Sequence, residues 1–180
     1  MEIIEIYPPF LYSIKYDEMD DNEYDRLFSQ WNDVNYVISF MNEHKTLLSN
    51  DVWVDVREPE DAAKQVLEEA EDLEELIDEL CKNTDLGETP DLESHFRYLE
   101  GKYNYVVEYK PVKSYGVNKP SLLRMYAIRL ESNCYVVTGG GIKLSDTIQN
   151  SPDLKDHVFK NIDSVRAWLK ENGIVDANDI

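Results

Sequence analysis

The chain has 180 residues, with 18 Lys and Arg against 37 Asp and Glu, for a formal charge of −19. Duplex DNA and anionic membrane surfaces are polyanions that recruit Lys and Arg, so this balance excludes nonspecific coating of either. Twelve Tyr, five Phe, three Trp and 42% hydrophobic residues still supply a core, and no apolar run approaches the ~20 residues that span a bilayer.

Residues 2–7 read as a short strand, with acidic residues where a secretory signal carries positive ones, so a cytoplasmic location is expected. After Pro8 and Pro9, Phe10, Tyr12, Ile14 and Tyr16 recur at period two, as in a second strand. Asp20, Asp21 and Asn22 offer an N-cap before Tyr24, Leu27, Phe28 and Trp31, whose spacing fits one helix face. Asp33 can cap a successor running to about Leu48, and residues 49–56 read as a connection.

Pro59 in a first turn, with Glu58, Glu60 and Asp61 at the positive end of the dipole, marks a third helix extending to about Lys82. Its seam is Val66, Ala70, Leu73, Ile77 and Leu80, and its outer face is almost wholly Glu and Asp. Residues 83–90 read as a loop and 92–99 as a short helix. Alternation of Tyr103, Tyr105, Val107 and Tyr109 predicts a strand over 103–110, followed by strands at about 121–130 and 134–138 joined by a tight Glu131-Ser132-Asn133 turn. Asn161 or Asp163 caps a last helix with Ile162, Val165, Trp168 and Leu169 on one face, ended by Gly173. The expectation is one α+β domain over 1–180: an antiparallel sheet of about four to five strands packed against N-terminal helices and a C-terminal helix. Residues 1–100 form its acidic helical part and 101–180 its sheet-rich part.

The two parts differ in charge: residues 1–100 carry 7 basic and 28 acidic groups, and residues 101–180 carry 11 and 9. Within residues 102–143, Lys102, Lys110, Lys113, Lys119, Arg124, Arg129 and Lys143 face only Glu108 and Glu131. Such asymmetry points to an anionic ligand for the basic segment, or to a mildly basic sheet surface beside an acidic helical one.

His44, His95 and His157 lack metal-ligand spacing, and Cys81 and Cys134 form neither a disulfide framework nor a zinc pattern. No metal or cofactor is expected. Gly139-Gly140-Gly141 lacks the Lys-Ser/Thr ending of a phosphate loop, so it reads as a strand end, a bulge at positive φ, or a close approach to bare backbone.

The run Leu-Leu-Arg-Met-Tyr-Ala-Ile-Arg-Leu from Leu122, a short turn, then Cys-Tyr-Val-Val-Thr-Gly-Gly-Gly-Ile-Lys-Leu, Thr147, Pro152 and a last helix resembles the C-terminal half of RelE/HigB-type toxins of bacterial type II toxin-antitoxin systems. The resemblance covers about residues 95–172. It implies a metal-independent mRNA endoribonuclease, with mRNA or the ribosome as target and an antitoxin protein as partner. Carried onto this chain, it makes Arg124 and Lys143 phosphate stabilisers. Tyr126, two residues from Arg124 on the same strand face, would stack a base or assist proton transfer. Lys113, Lys119 and Arg129 would bind RNA. The chain departs from the family in its acidic N-terminal half and in having one Lys after the glycines where several basic residues are usual. The competing expectation is a noncatalytic acidic interaction or inhibitor protein that binds a basic protein partner. The two differ in whether the basic residues gather in one patch or lie scattered and neutralised.

Overall fold

A computed structural model describes residues 1–49, 56–82, 91–117 and 120–180. Its strands are β1 (Glu2–Tyr7), β2 (Leu11–Lys15), β3 (Arg97–Tyr98), β4 (Lys110–Tyr115), β5 (Leu123–Glu131) and β6 (Cys134–Ile142). Its helices are α1 (Glu23–Trp31), α2 (Val34–Glu43), α3 (Pro59–Lys82), α4 (Leu92–His95) and α5 (Val158–Glu171). The α+β class is as expected, and the strands form a single six-stranded sheet in the order β1-β2-β6-β5-β4-β3. It is mixed: β2 runs parallel to β6 through Leu11, Tyr12 and Ser13 opposite Tyr135, Val136 and Val137, while the other pairings are antiparallel. The acidic part of the sequence therefore contributes β1, β2 and the short β3 to the same sheet as the basic part.

Alternation decides which side each strand residue faces. Met125, Ala127, Tyr135 and Val137 join Leu11 and the buried stripes of α1, α2 and α3 in the largest core cluster. Ile128 and Val136 lie on the other face, with Val165 and Leu169 of α5. Helices thus cover both faces. Of the α3 seam, Val66, Ala70, Leu73 and Ile77 are fully buried and Leu80 is half-buried against the same core. Asn22 caps α1 by accepting from the Asp25 N–H, and Asp33 caps α2 by accepting from the Asn35 and Tyr36 N–H groups.

Residues 103–110 do not form the expected strand. Tyr109 sits at φ 51, a left-handed conformation that ends extension, and Gly101 at φ 87 with Asn104 makes a turn just upstream. Tyr103 is buried against α5, whereas Tyr105 and Val107 are 96% and 87% exposed. The strand begins instead at Lys110 and pairs with β5 through Tyr115. Residues 92–99 divide into the one-turn α4 and the two-residue β3, and α5 begins at Val158, ahead of the expected caps. The second helix stops at Glu43 and is followed by a 3-10 turn over Lys45–Leu47. The expected loop at 83–90 and most of the connection at 49–56 lie outside the described residues. Among the described residues, no helix is long and apolar enough to cross a membrane.

Candidate functional site

Strand register gathers part of the basic segment. Arg97 of β3 stands opposite Lys113 of β4, and Tyr115 of β4 stands opposite Arg124 of β5. Lys113 and Tyr115 are two apart, so these pairs share one face at the end of the sheet that carries β3. The Arg124 guanidinium lies 4.2 Å from the Tyr115 ring centre. Its NH1 donates to the Ser121 and Leu123 carbonyls at 2.9 and 2.5 Å, which fixes the group while leaving its other N–H donors without partners among the described residues. Lys143, just beyond β6, donates through Nζ to the Ser145 and Asp146 carbonyls at 2.5 and 2.9 Å.

These groups open onto a cavity of about 510 Å³ whose wall includes Arg97, Arg124, Lys143 and His95 beside Leu76, Tyr115 and Val117. Its size falls within the usual range of small-ligand pockets. Among the described residues, no carboxylate pairs with Arg97, Lys113, Arg124 or Lys143. Among the lining residues, three cations stand against one carboxylate, Asp146. Burial and then repulsion from Arg124 pull the Lys143 ammonium below its ordinary value, with Asp146 opposing and Lys113 adding to the fall. Burial also lowers Arg124, which Tyr126, Tyr115 and Glu69 partly offset.

Behind the cleft wall, the turn before β5 is held by an acidic residue. Glu69 of α3 is 0% exposed and accepts from Ser121 Oγ at 2.7 Å, Leu122 N at 3.0 Å, Leu123 N at 3.2 Å and Gln65 Nε2 at 2.5 Å. A Cβ at Gly116 would collide with its carboxylate, so the bare backbone there lets α3 approach the end of β4. The acidic helix thereby holds the turn from which Arg124 emerges.

Of the remaining expected site residues, Tyr126 is 1% exposed and packs with Leu99, Tyr103, Leu154, Val158 and Ile162. It shares a face with Arg124, but the start of α5 covers it, so its ring cannot stack a base. Burial raises its phenol far above the ordinary value, which also removes it from proton transfer near neutrality. Arg129 is five residues from Arg124 and so projects from the opposite face. There it pairs with Glu93 and donates to Tyr98 Oη at 2.6 Å. Lys102 pairs with Asp163, and Lys110 lies over the Tyr98 ring at 3.7 Å. Lys119 lies outside the described residues. The basic segment is thus partly gathered and partly neutralised. Arg97, Tyr115 and His95 join the site although nothing in residue order assigns them to it; the period-two Lys113-Ser114-Tyr115 pattern is the one signal for Tyr115, and only pairing reveals Arg97.

The glycine run forms a second, different region. Opposite Tyr126 and Ala127, β6 carries an extra residue at Thr138, and Gly139 follows at φ 143. A Cβ on Gly140 would meet the Arg124 carbonyl, and one on Gly141 would lie 2.5 Å from Asp153 Oδ2. The expected bulge and close approach are both present. Beyond β2, side chains satisfy this edge: Tyr16 Oη and Asn161 Nδ2 donate to the Thr138 carbonyl, and the Ile142 N–H donates to Asp153 at 2.7 Å. Nearby, Glu23 is clasped by Arg26 through two bonds of 3.0 and 2.7 Å. Among the described residues, no His, Cys, Asp and Glu group could hold a metal ion.

Comparison of the chain with family models, curated proteins and solved structures gave no match.

Proposed function

We propose that the cleft walled by Arg97, Arg124 and Lys143, with Lys113 opposite Arg97 on the neighbouring strand, binds single-stranded RNA and supports its metal-independent cleavage, in a protein related to RelE/HigB-type toxins. The observation that carries this reading is the convergence of cations, none paired with a carboxylate among the described residues, on one cavity within a chain of charge −19. Attack of a 2′-hydroxyl on the neighbouring phosphate builds negative charge on nonbridging oxygens, and fixed cationic donors stabilise that charge. Arg124, held by two carbonyls and a tyrosine ring, needs little reorganisation to do so. The sheet edge is too narrow a basic surface for duplex coating, which agrees with the overall charge.

The test is binding of a labelled single-stranded RNA, followed by anisotropy as salt is varied, and its cleavage on a denaturing gel. Arg124→Ala/Lys143→Ala is expected to weaken binding at least tenfold and to reduce the salt slope by about 0.7 for each phosphate that is no longer neutralised. Failure of the folded wild-type chain to bind RNA at low salt would sink the proposal.

A second reading draws on the outer face of α3, where Glu60, Asp61, Glu68, Glu71, Asp72 and Glu75 are exposed and the Lys64–Glu68 and Lys82–Asp78 pairs offset little. That face suits a basic protein partner, such as the antitoxin that the resemblance implies, or the target of a noncatalytic inhibitor. Lysine substitutions at Glu71 and Glu75 are expected to weaken capture of such a partner without changing RNA binding.

A further inference from the structure

We infer, resting on the RNA-cleavage reading, that His95 is the proton acceptor of the cleft, in place of the buried Tyr126. Leu92 and Phe96 are buried on either side of the single turn of α4, and they anchor His95 so that its ring reaches the wall shared by Arg97, Arg124 and Lys143. The ring is held from behind: its Nε2 lies 2.5 Å from Ser114 Oγ, on a serine that is itself fully buried in β4.

The partners of that serine are compatible with the Nε2–H tautomer. A hydroxyl has one proton, and Ser114 Oγ donates it to the Tyr115 carbonyl at 3.4 Å. With its proton on that carbonyl the hydroxyl accepts from His95 Nε2–H and Nδ1 is left unprotonated, which is the tautomer the assignment requires. No hydrogen bond occupies Nδ1 among the described residues, and it is not among the buried polar atoms that lack a partner. Burial, and after it the charge of Arg97, hold the imidazole below its ordinary value, so the ring is neutral near pH 7. A neutral imidazole with one nitrogen tethered and the other open toward a cationic cavity is placed as a general base.

In the cleavage step, His95 Nδ1 takes the 2′-hydroxyl proton while the 2′-oxygen forms a bond to the adjacent phosphorus and the bond from phosphorus to the 5′-oxygen breaks. The electron pair of the broken bond leaves on the 5′-oxygen, which is protonated from solvent, and His95 returns its proton to solvent. The products are a 2′,3′-cyclic phosphate and a 5′-hydroxyl, with no net change in protons. Arg124 and Lys143 carry the charge that develops on phosphate.

The experiment follows RNA binding and cleavage between pH 5 and 8 for the full wild-type chain, His95→Gln and Ser114→Ala. Glutamine keeps a donor for Ser114 but has no proton-accepting nitrogen. It should leave the RNA Kd within about threefold and lower the cleavage rate about 100-fold or more, the usual scale of a lost general base. The wild-type rate should rise with pH and level off after a midpoint below 6.5, the ordinary histidine value. Ser114→Ala retains the imidazole without its tether and should lose less. Nitrogen-15 spectra at pH 7 should show His95 neutral and protonated on Nε2. Cleavage by His95→Gln at the wild-type rate, or an Nδ1-protonated ring, overturns the assignment and leaves the RNA reading standing. A wild-type chain that binds RNA without cleaving it overturns the assignment and the cleavage half of that reading, and one that does not bind overturns both.

Discussion

The cleft at Arg124 and the edge along Gly139 to Gly141 are neighbours, since Arg124 pairs with Gly141 across β5 and β6. They handle polar groups in opposite ways. Along the glycines, carboxylates and carbonyls are matched by donors: Asp153 accepts from the Ile142 N–H, Glu23 from Arg26, and the Thr138 carbonyl from Tyr16 and Asn161. At the cleft, cations are brought together with mutual repulsion and without carboxylate partners among the described residues. Matched groups stabilise a packing arrangement; groups held in an unmatched state are what a ligand can use. The difference teaches that the glycine run serves close packing, and that the unmatched cations lie one strand away.

The strongest way to break the contrast is Gly140→Ala. Its methyl would collide with the Arg124 carbonyl, a backbone atom that cannot swing aside, so a loss of about 3 kcal/mol in urea unfolding is expected. An unchanged midpoint would show that β5 and β6 can separate at no cost and would remove the scaffold role.

The two regions should also answer pH with opposite sign. Burial raises the Asp153 carboxyl above its ordinary 3.8 despite its hydrogen bonds, so the folded state keeps a proton that the unfolded state has released. That contribution to stability falls as pH rises from about 3.8 through the raised value. His95 is lowered, so the unfolded state binds the extra proton, and stability from the cleft falls as pH drops below 6.5. Asp153→Asn should flatten the first limb and His95→Gln the second, read from unfolding free energies between pH 3.5 and 8. Exchange of the two effects between the two variants would reverse the assignment.

The smallest effect sharpens the comparison from the other side. Lys143→Ala removes a cation that repels Arg124, so stability should change by less than about 0.5 kcal/mol while RNA affinity falls. A large loss of stability would mean that Lys143 is a packing group and not a ligand-facing one.

Much of this was legible in residue order. The α3 seam, the Asp33 cap and the β5–β6 hairpin follow from period, turn chemistry and charge, whereas Arg124 and Lys143 are singled out by the resemblance to RelE/HigB-type toxins. The opposite facing of Arg129 was available from parity, because five residues separate it from Arg124. Tyr126 was not: alternation shows that it shares a face with Arg124, but not that the start of α5 lies over it and stops short of its neighbour. The strand expected over residues 103–110 gives way to a turn at Gly101–Asn104 and a left-handed Tyr109, which a regular pattern of side chains does not reveal. Arg97 and His95 became visible only through pairing of β3 with β4, two residues long and set by contacts far away in sequence.

The parallel pairing of β2 with β6 also governs when the fold can close. Residues 11–13 reach their partners only at residues 135–137, so the N-terminal hairpin has no central neighbour while most of the chain is still being synthesised. Contacts this distant along the chain slow folding and leave strand edges exposed in the meantime. The last strand of the sheet to emerge therefore recruits the first two.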